Sequence, residues 1–269
     1  MKVLELFSGT RSVGKICDEL GWESVSVDLL LPADHQCDIM DFDYKQYPKD
    51  YFGIVWASPM CTFYSNLQNC WLGRKKKDGI LVTKELIEEK RKESDKFILK
   101  TLEIIDYFDC EYWFMENPAT GQLKHRDVVK DIPFYDVSYC MYSDWGYEKK
   151  TRIWTNLPDW NNKICDKSGA CGNMIDSQHQ LVLGNGYEMI DGKKVLCNTK
   201  ALRKKHKVVC DGGYDKRKKH KLKVSDVHSE NTKKGSSIEF GKGTSQLDRY
   251  RIPPELIRDL FIEIISNDM

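Results

Sequence analysis

Apolar positions along the first half of the chain switch repeatedly between a strand-like and a helix-like period. Lys2 to Phe7 is a short apolar run that reads as a strand, followed by the small-residue turn Ser8-Gly9-Thr10. Helical spacing then runs from about Ser12 to Leu20, with Gly21 placed as its C-cap. Glu23 to Asp28 alternates as a second strand, and Gly53 to Ala57 is apolar throughout, as a strand covered on both faces would be. Between Thr83 and Phe108 charges are dense, yet Leu86, Ile87, Phe97, Ile98, Leu102, Ile105 and Phe108 recur at helical spacing. Tyr112 to Met115, Val137 to Met141 and Arg152 to Thr155 predict three further strands. Strand and helix in alternation predict an α/β fold, with a parallel sheet and helices on both faces.

The pattern dissolves after about Pro158, where short apolar runs sit among Asn, Gly, Lys and Cys. Residues 1–157 therefore read as the main domain and 158–245 as a small irregular basic region. Residues 246–269 hold a closing helix that starts near Ile252-Pro253-Pro254, proline being suited to a first turn. Its apolar stripe (Leu256, Leu260, Phe261, Ile264) is expected to pack back on the main domain.

Composition narrows the class. With 41% hydrophobic and 31% charged residues, a chain of 269 residues can bury a full core. A net charge of +1 decides nothing, because the charge is unevenly spread. Lys200 to Lys223 holds eleven Lys or Arg against two Asp, a tract able to neutralise phosphates or simply to be solvated. The sequence has no run of ~18 apolar residues, so no membrane is expected as a partner. Met1-Lys2-Val3-Leu4 enters a strand directly, leaving no room for a signal peptide. The ten cysteines are therefore expected to be reduced and mostly buried, in an intracellular protein of cytoplasm or nucleus. Cys165 and Cys171, with Cys197, Cys210 and nearby histidines, have a zinc-like composition but no tight C-x2-C pair, so no metal is expected.

Candidate chemistry gathers behind the strands. Leu4 to Gly14 is a strand, a small-residue turn and a helix start, the arrangement that presents backbone N–H groups to a nucleoside, although Arg11 stands where a second glycine would complete the dinucleotide fingerprint. Asp28, about 20 residues after the turn, ends the second strand, where an acid can accept from a ribose; Asp38-Ile39 could meet a base. Cys61 lies in Ser58-Pro59-Met60-Cys61, just after a buried strand, where ligands bind in open α/β sheets. A thiol there can be a nucleophile once ionised. Glu116, in Met115-Glu116-Asn117-Pro118, follows the next strand at the same edge. Kept protonated by apolar neighbours it could donate to a substrate nitrogen. Lys149-Lys150-Thr151-Arg152 opens a strand whose Arg152 points at that edge too.

This ordered set resembles the cytosine-C5 methyltransferase family, and is most similar to its short phage- and large-virus-type members. Leu6-Phe7-Ser8-Gly9-Thr10 matches the first cofactor motif, and Asp28 and Asp38 the next two. Pro59-Met60-Cys61 stands for Pro-Pro-Cys, Glu116-Asn117-Pro118 for Glu-Asn-Val, and Glu148-x-Lys150-x-Arg152 for Gln-x-Arg-x-Arg. The resemblance covers residues 1 to about 157 and implies a Rossmann-like sheet of the S-adenosylmethionine-dependent type. It also implies S-adenosyl-L-methionine as cofactor, held by Phe7, Ser8, Gly9, Thr10, Arg11, Ser12, Asp28, Leu29, Asp38, Ile39, Ser58 and Pro59. Cys61 would add to C6 of a flipped cytosine, Glu116 would serve N3, and Arg152 would steady the base and its phosphate. Leu67 to Asp78, with Arg74, Lys75, Lys76 and Lys77, resembles the family's closing loop. Ser65, Lys150, Arg203, Lys204, Lys205, Lys216, Arg217, Lys218 and Lys219 complete the set expected to touch nucleic acid. Residues 158–245 would recognise the target, and the implied partner is duplex DNA bound by a monomer. The same sheet and thiol would serve RNA, and a silent nucleic-acid-binding module would keep the fold.

Overall fold

The computed structural model describes residues 1–76, 78–175, 178–179, 187–190, 193–196, 208–209, 213–214 and 250–267. The chain divides into two compact units. Met1–Asp136, Lys150–Asn162 and Ile257–Met269 form the first, and Val137–Lys149 with Lys163–Leu256 form the second. Residues 137–149 thus leave the main domain for the later segment, and 158–162 stay with the main domain.

The first unit is built on a six-stranded sheet in the order β2-β1-β3-β4-β6-β5. Its strands are β1 (Lys2–Leu6), β2 (Glu23–Val27), β3 (Ile54–Ala57), β4 (Tyr112–Pro118), β5 (Phe134–Ser138) and β6 (Lys150–Thr155). β1 is parallel to both β2 and β3, and β3 to β4. β6 runs antiparallel to β4, so the sheet is mixed where strand–helix alternation predicts a parallel one. Strand direction has no signature in the apolar period, which is two in both cases. The expected strand at Val137–Met141 lies earlier, because residues 139–141 turn into a 3-10 helix.

Central strands are apolar on both faces because both are covered: Val3, Leu4, Leu6, Ile54, Val55, Trp56 and Ala57 are fully buried. Each large aliphatic or aromatic side chain so buried contributes about 1.5–3 kcal/mol. Helix α1 (Ser12–Leu20) ends at Gly21, whose φ of 68° lets its N–H return to the carbonyls of Cys17 and Asp18. Helix α2 (Lys84–Phe108) begins where the Thr83 side chain accepts from Leu86 N–H and buries a stripe including Ile87, Ile98, Ile105 and Phe108. Helix α3 (Pro254–Asn267) brings Phe261 to Trp22, with ring centroids 5.0 Å apart, and Asp259 to Trp160 Nε1 at 3.0 Å. No helix among the described residues is long and apolar enough to cross a membrane.

Among the described residues of the second unit the strands are short: β7 (Met174–Ile175) with β8 (Gln178–His179), β9 (Tyr187–Ile190) with β10 (Lys193–Leu196), and β11 (Val208–Val209) with β12 (Gly213–Tyr214). Tyr139, Trp145 and Tyr147 are buried there, both tyrosines in ring contact with Trp145, and the Arg251 guanidinium lies 3.9 Å from the Trp145 ring centre.

Candidate active site

Parallel register brings three segments to one edge of the sheet. Leu6 pairs with Ala57 and Ala57 with Met115, so the turn after β1, the loop after β3 and Glu116 leave the same side.

The turn after β1 is unusual backbone. Phe7, Gly9 and Arg11 all have left-handed φ (56°, 52° and 59°), a geometry that costs free energy at non-glycine positions and concentrates at ligand sites. Two acids hold it. Asp28 accepts from Gly9 N–H at 2.8 Å with one oxygen and from Leu30 and Leu31 N–H, also at 2.8 Å, with the other. Glu5, buried within β1, accepts from Val13 and Gly14 N–H at 3.0 and 2.9 Å, at the opening of α1. Burial pushes the Glu5 carboxyl up to about 7, against the pull of those two donors. Its signal in the sequence is an acid between two leucines of a core strand, to which no role was attached above.

The other cofactor candidates sort by exposure. The Ser8 hydroxyl is buried with no protein partner, a polar atom facing inward at the turn. Thr10 and Ser12 hydroxyls meet at 3.1 Å. Arg11 folds back to Asp18 and Ser24, so its share of the cradle is backbone. Leu29 is more than half exposed beside Asp28, an apolar surface available to a ring. Asp38 caps its own turn through Met40 N–H, and Ile39 is buried in the core with Val27 and Phe42.

Cys61 follows Ser58 and Pro59 with φ −90° and ψ −3°, in the sparsely populated bridge region where many active-site residues sit. It is half-buried and opens a 3-10 turn, Thr62–Tyr64. Burial pushes the thiols of Cys17 and Cys110 up to about 12, which makes them inert at neutral pH. Glu116 is buried near the end of β4, which extends three residues beyond the predicted Met115. The side chain of the next residue, Asn117, donates to the Pro59 carbonyl at 2.8 Å and stitches the two loops together. Further along, Gln122 N–H donates to Tyr64 O at 2.7 Å and Asn66 to Thr120 O at 2.7 Å. Tyr64 itself is fully buried and donates to Asp95 of α2 at 2.9 Å, and Arg126 grips both oxygens of that carboxylate. Both ends of the Cys61 loop are therefore anchored.

Strand spacing aims Arg152 at this edge, but the structure commits it elsewhere. It forms a two-pronged ion pair with Asp136, at 2.7 and 2.9 Å, and its guanidinium lies 3.5 Å from the Phe134 ring centre. In the antiparallel register Arg152 opposes Asn117 while Ile153 opposes Glu116, so Arg152 and Glu116 belong to opposite faces. Its guanidinium ties β6 to Asp136 of β5.

The basic loop is ordered as a narrow ribbon, with Lys75 bridged to Leu81 and Gly73 N–H donating to Val82 O at 2.9 Å. Arg74, Lys75 and Lys76 are exposed on it, as are Trp71, Ile80 and Leu81. A cavity of about 430 Å³ lies beneath, lined by Phe63, Gln68, Trp71 and Leu86 among others; Cys61 is not part of its wall. Ser65 accepts from Leu67 N–H and Lys150 is exposed at the start of β6. Lys77, Arg203, Lys204, Lys205, Lys216, Arg217, Lys218 and Lys219 lie outside the described residues.

The site is thus an α/β sheet with a left-handed turn, a thiol and a buried carboxyl along one edge. Comparison with known proteins gives the family. No family model matches the chain. Over 176 residues it is 38% identical to the "Probable DNA (cytosine-5)-methyltransferase" of Frog virus 3 (isolate Goorha), a match covering 65% of this chain and 79% of the viral protein. Among solved structures it is similar to the Entamoeba histolytica methyltransferase EhMeth, with a TM-score of 0.48 and 13% identity over 100% of this chain and 99% of that one. A variant of Spodoptera frugiperda DNMT2 gives 0.33 and 17% over 61% of this chain and 53% of that one. The chain belongs to the DNA (cytosine-5)-methyltransferase family.

Proposed function

We propose that this chain methylates carbon-5 of cytosine in DNA, with Cys61 as nucleophile and Glu116 as the acid serving N3. The observation that carries the reading is the stitching of the Cys61 loop to the end of β4 through Asn117 and Pro59, beside a turn shaped for a nucleoside. The residues of that turn fit S-adenosyl-L-methionine: the Ser8 hydroxyl is buried and unpartnered, Leu29 offers an apolar face, and Asp28, with three N–H donors taken up, has about one acceptor site left for a ribose hydroxyl. When bound there, the cofactor supplies the methyl group that carbon-5 accepts.

The target cytosine leaves its stack, because C6 cannot be reached inside the duplex. Cys61 loses its proton and its sulfur forms a bond to C6. As that bond forms, the C5–C6 π pair moves onto C5 and through C4 to N3, where Glu116 delivers its proton, leaving an enamine whose carbon-5 is nucleophilic. After methylation a base takes the C5 proton, the double bond re-forms and the Cys61 sulfur departs. Arg74, Lys75 and Lys76 neutralise phosphates around the site, and residues 158–245 contribute target recognition.

The test is transfer of labelled methyl groups to duplex DNA, single-stranded DNA and structured RNA, followed by digestion and identification of the modified base. Label in 5-methylcytosine from duplex DNA is expected. Label from RNA alone would replace DNA by RNA as the substrate, and tight binding with no transfer would leave a binding module.

A further inference from the structure

Four side chains from three separate segments of the second unit converge at a point remote in sequence from Cys61. Cys140 lies just after β5, Cys165 and Cys171 in the loop before β7, and His179 in β8. Their three Sγ atoms and one ring nitrogen all lie within 4.8 Å of one another. His179 Nε2 is 3.7 Å from Cys165 Sγ and 3.7 Å from Cys171 Sγ. Tetrahedral zinc, with Zn–S near 2.3 Å and Zn–N near 2.0–2.1 Å, separates its ligands by roughly 3.6–3.8 Å. Cys140 and Cys165 are buried, and the His179 side chain is 9% exposed.

The surroundings are those of a ligand shell. Asn173, itself buried, donates to the carbonyls of Cys140, Ser143 and Cys171 at 2.8, 2.7 and 2.9 Å, fixing the backbone of two of the four residues. Its amide oxygen accepts from Gly146 N–H at 2.9 Å. The other ring nitrogen of His179, Nδ1, lies 4.0 Å from the Glu148 carboxylate, on the side where a carboxylate orients a metal-bound imidazole. Glu148 is held in turn by Lys167 at 3.9 Å.

We propose that Cys140, Cys165, Cys171 and His179 bind one structural zinc ion. Three thiolates and an imidazole select zinc over magnesium or calcium, and four protein ligands leave no open position for a catalytic water. Binding releases the three thiol protons, and the imidazole coordinates through neutral Nε2. The ion cross-links the turn after β5, the loop before β7 and the β7–β8 hairpin, where the described strands are too short to do so. The expected absence of metal overlooks this site because one of its ligands, Cys140, lies 25 residues before Cys165, outside the cluster that composition suggests.

The test uses the full chain, tag removed, purified under reducing conditions without chelator. Elemental analysis is expected to find ~1 zinc per chain, released by a thiol-blocking mercurial. Cobalt(II) added to metal-stripped protein should give the strong visible bands of a tetrahedral sulfur-rich site, a readout independent of methyl transfer. Cys165→Ser with Cys171→Ser should lose the metal, and Cys70→Ser, at an exposed cysteine of the other unit, should keep it. Wild-type protein with less than ~0.1 equivalent of zinc and no tetrahedral cobalt spectrum would overturn the proposal, as would full zinc occupancy in the double variant.

Discussion

The two units solve the same problem by different means. In the first, six strands in long-range register bury Trp56, Phe114, Trp154 and their neighbours, and the chemistry sits at the strand ends. In the second, the described strands are two to four residues long, and order comes from a few aromatic contacts and the Cys140–Cys165–Cys171–His179 convergence. A six-stranded sheet can place a thiol and a carboxyl by register alone, whereas two-stranded hairpins gain from cross-links between residues distant in the chain.

Disabling the first unit's chemistry should produce the largest effect. Cys61→Ala should lower methyl transfer by about 10⁴-fold or more while leaving cofactor binding intact, since the sulfur bonds only the base. Equilibrium cofactor binding beside single-turnover transfer would check this. Removing the metal should affect the second unit and spare the first. After treatment with mercurial and chelator, protease cleavage within 163–256 should rise at least ~10-fold while the sheet of the first unit persists in circular dichroism.

Glu5 gives a pH signature confined to the sheet unit. Its carboxyl rises from 4.5 to about 7 on folding, so the folded state holds that proton more tightly than the unfolded chain. Its contribution to stability is complete below the lower value and is lost as pH climbs to about 7, a difference of about 3 kcal/mol. Denaturant unfolding between pH 4.5 and 7.5 should show that slope, and Glu5→Gln should remove it. Smallest is Tyr64→Phe, which deletes the hydroxyl bound to Asp95 but keeps the ring, and should cost about 1–2 kcal/mol. Its melting curve measures how firmly the Cys61 loop is anchored.

The same contrast governs what could be read beforehand. β1, α1, β2, β3, α2 and α3 were legible because burial writes their period into the chain, and so was the placing of Cys61 just after β3 and of Glu116 near the end of β4. Strand direction at β6 was not legible, and β5 was misplaced because an edge strand carrying Asp136 and a half-exposed Phe134 has little apolar pattern. Contacts between distant residues were hidden as well: Asn117 with Pro59, Arg152 with Asp136, and His179 with Cys165. Each is a single polar residue whose partner no spacing rule reveals.

The central claim, a covalent bond between Cys61 and a cytosine ring, is tested most directly by trapping it. Duplex DNA carrying 5-fluorocytosine allows addition and methylation but offers no C5 proton to remove, so the sulfur cannot leave. Incubated with S-adenosyl-L-methionine and the wild-type chain, it should yield a denaturant-resistant complex whose cross-linked peptide contains Cys61. A complex linked through another residue, or active methylation of ordinary duplex DNA with no trapped complex on the fluorinated one, would contradict the account.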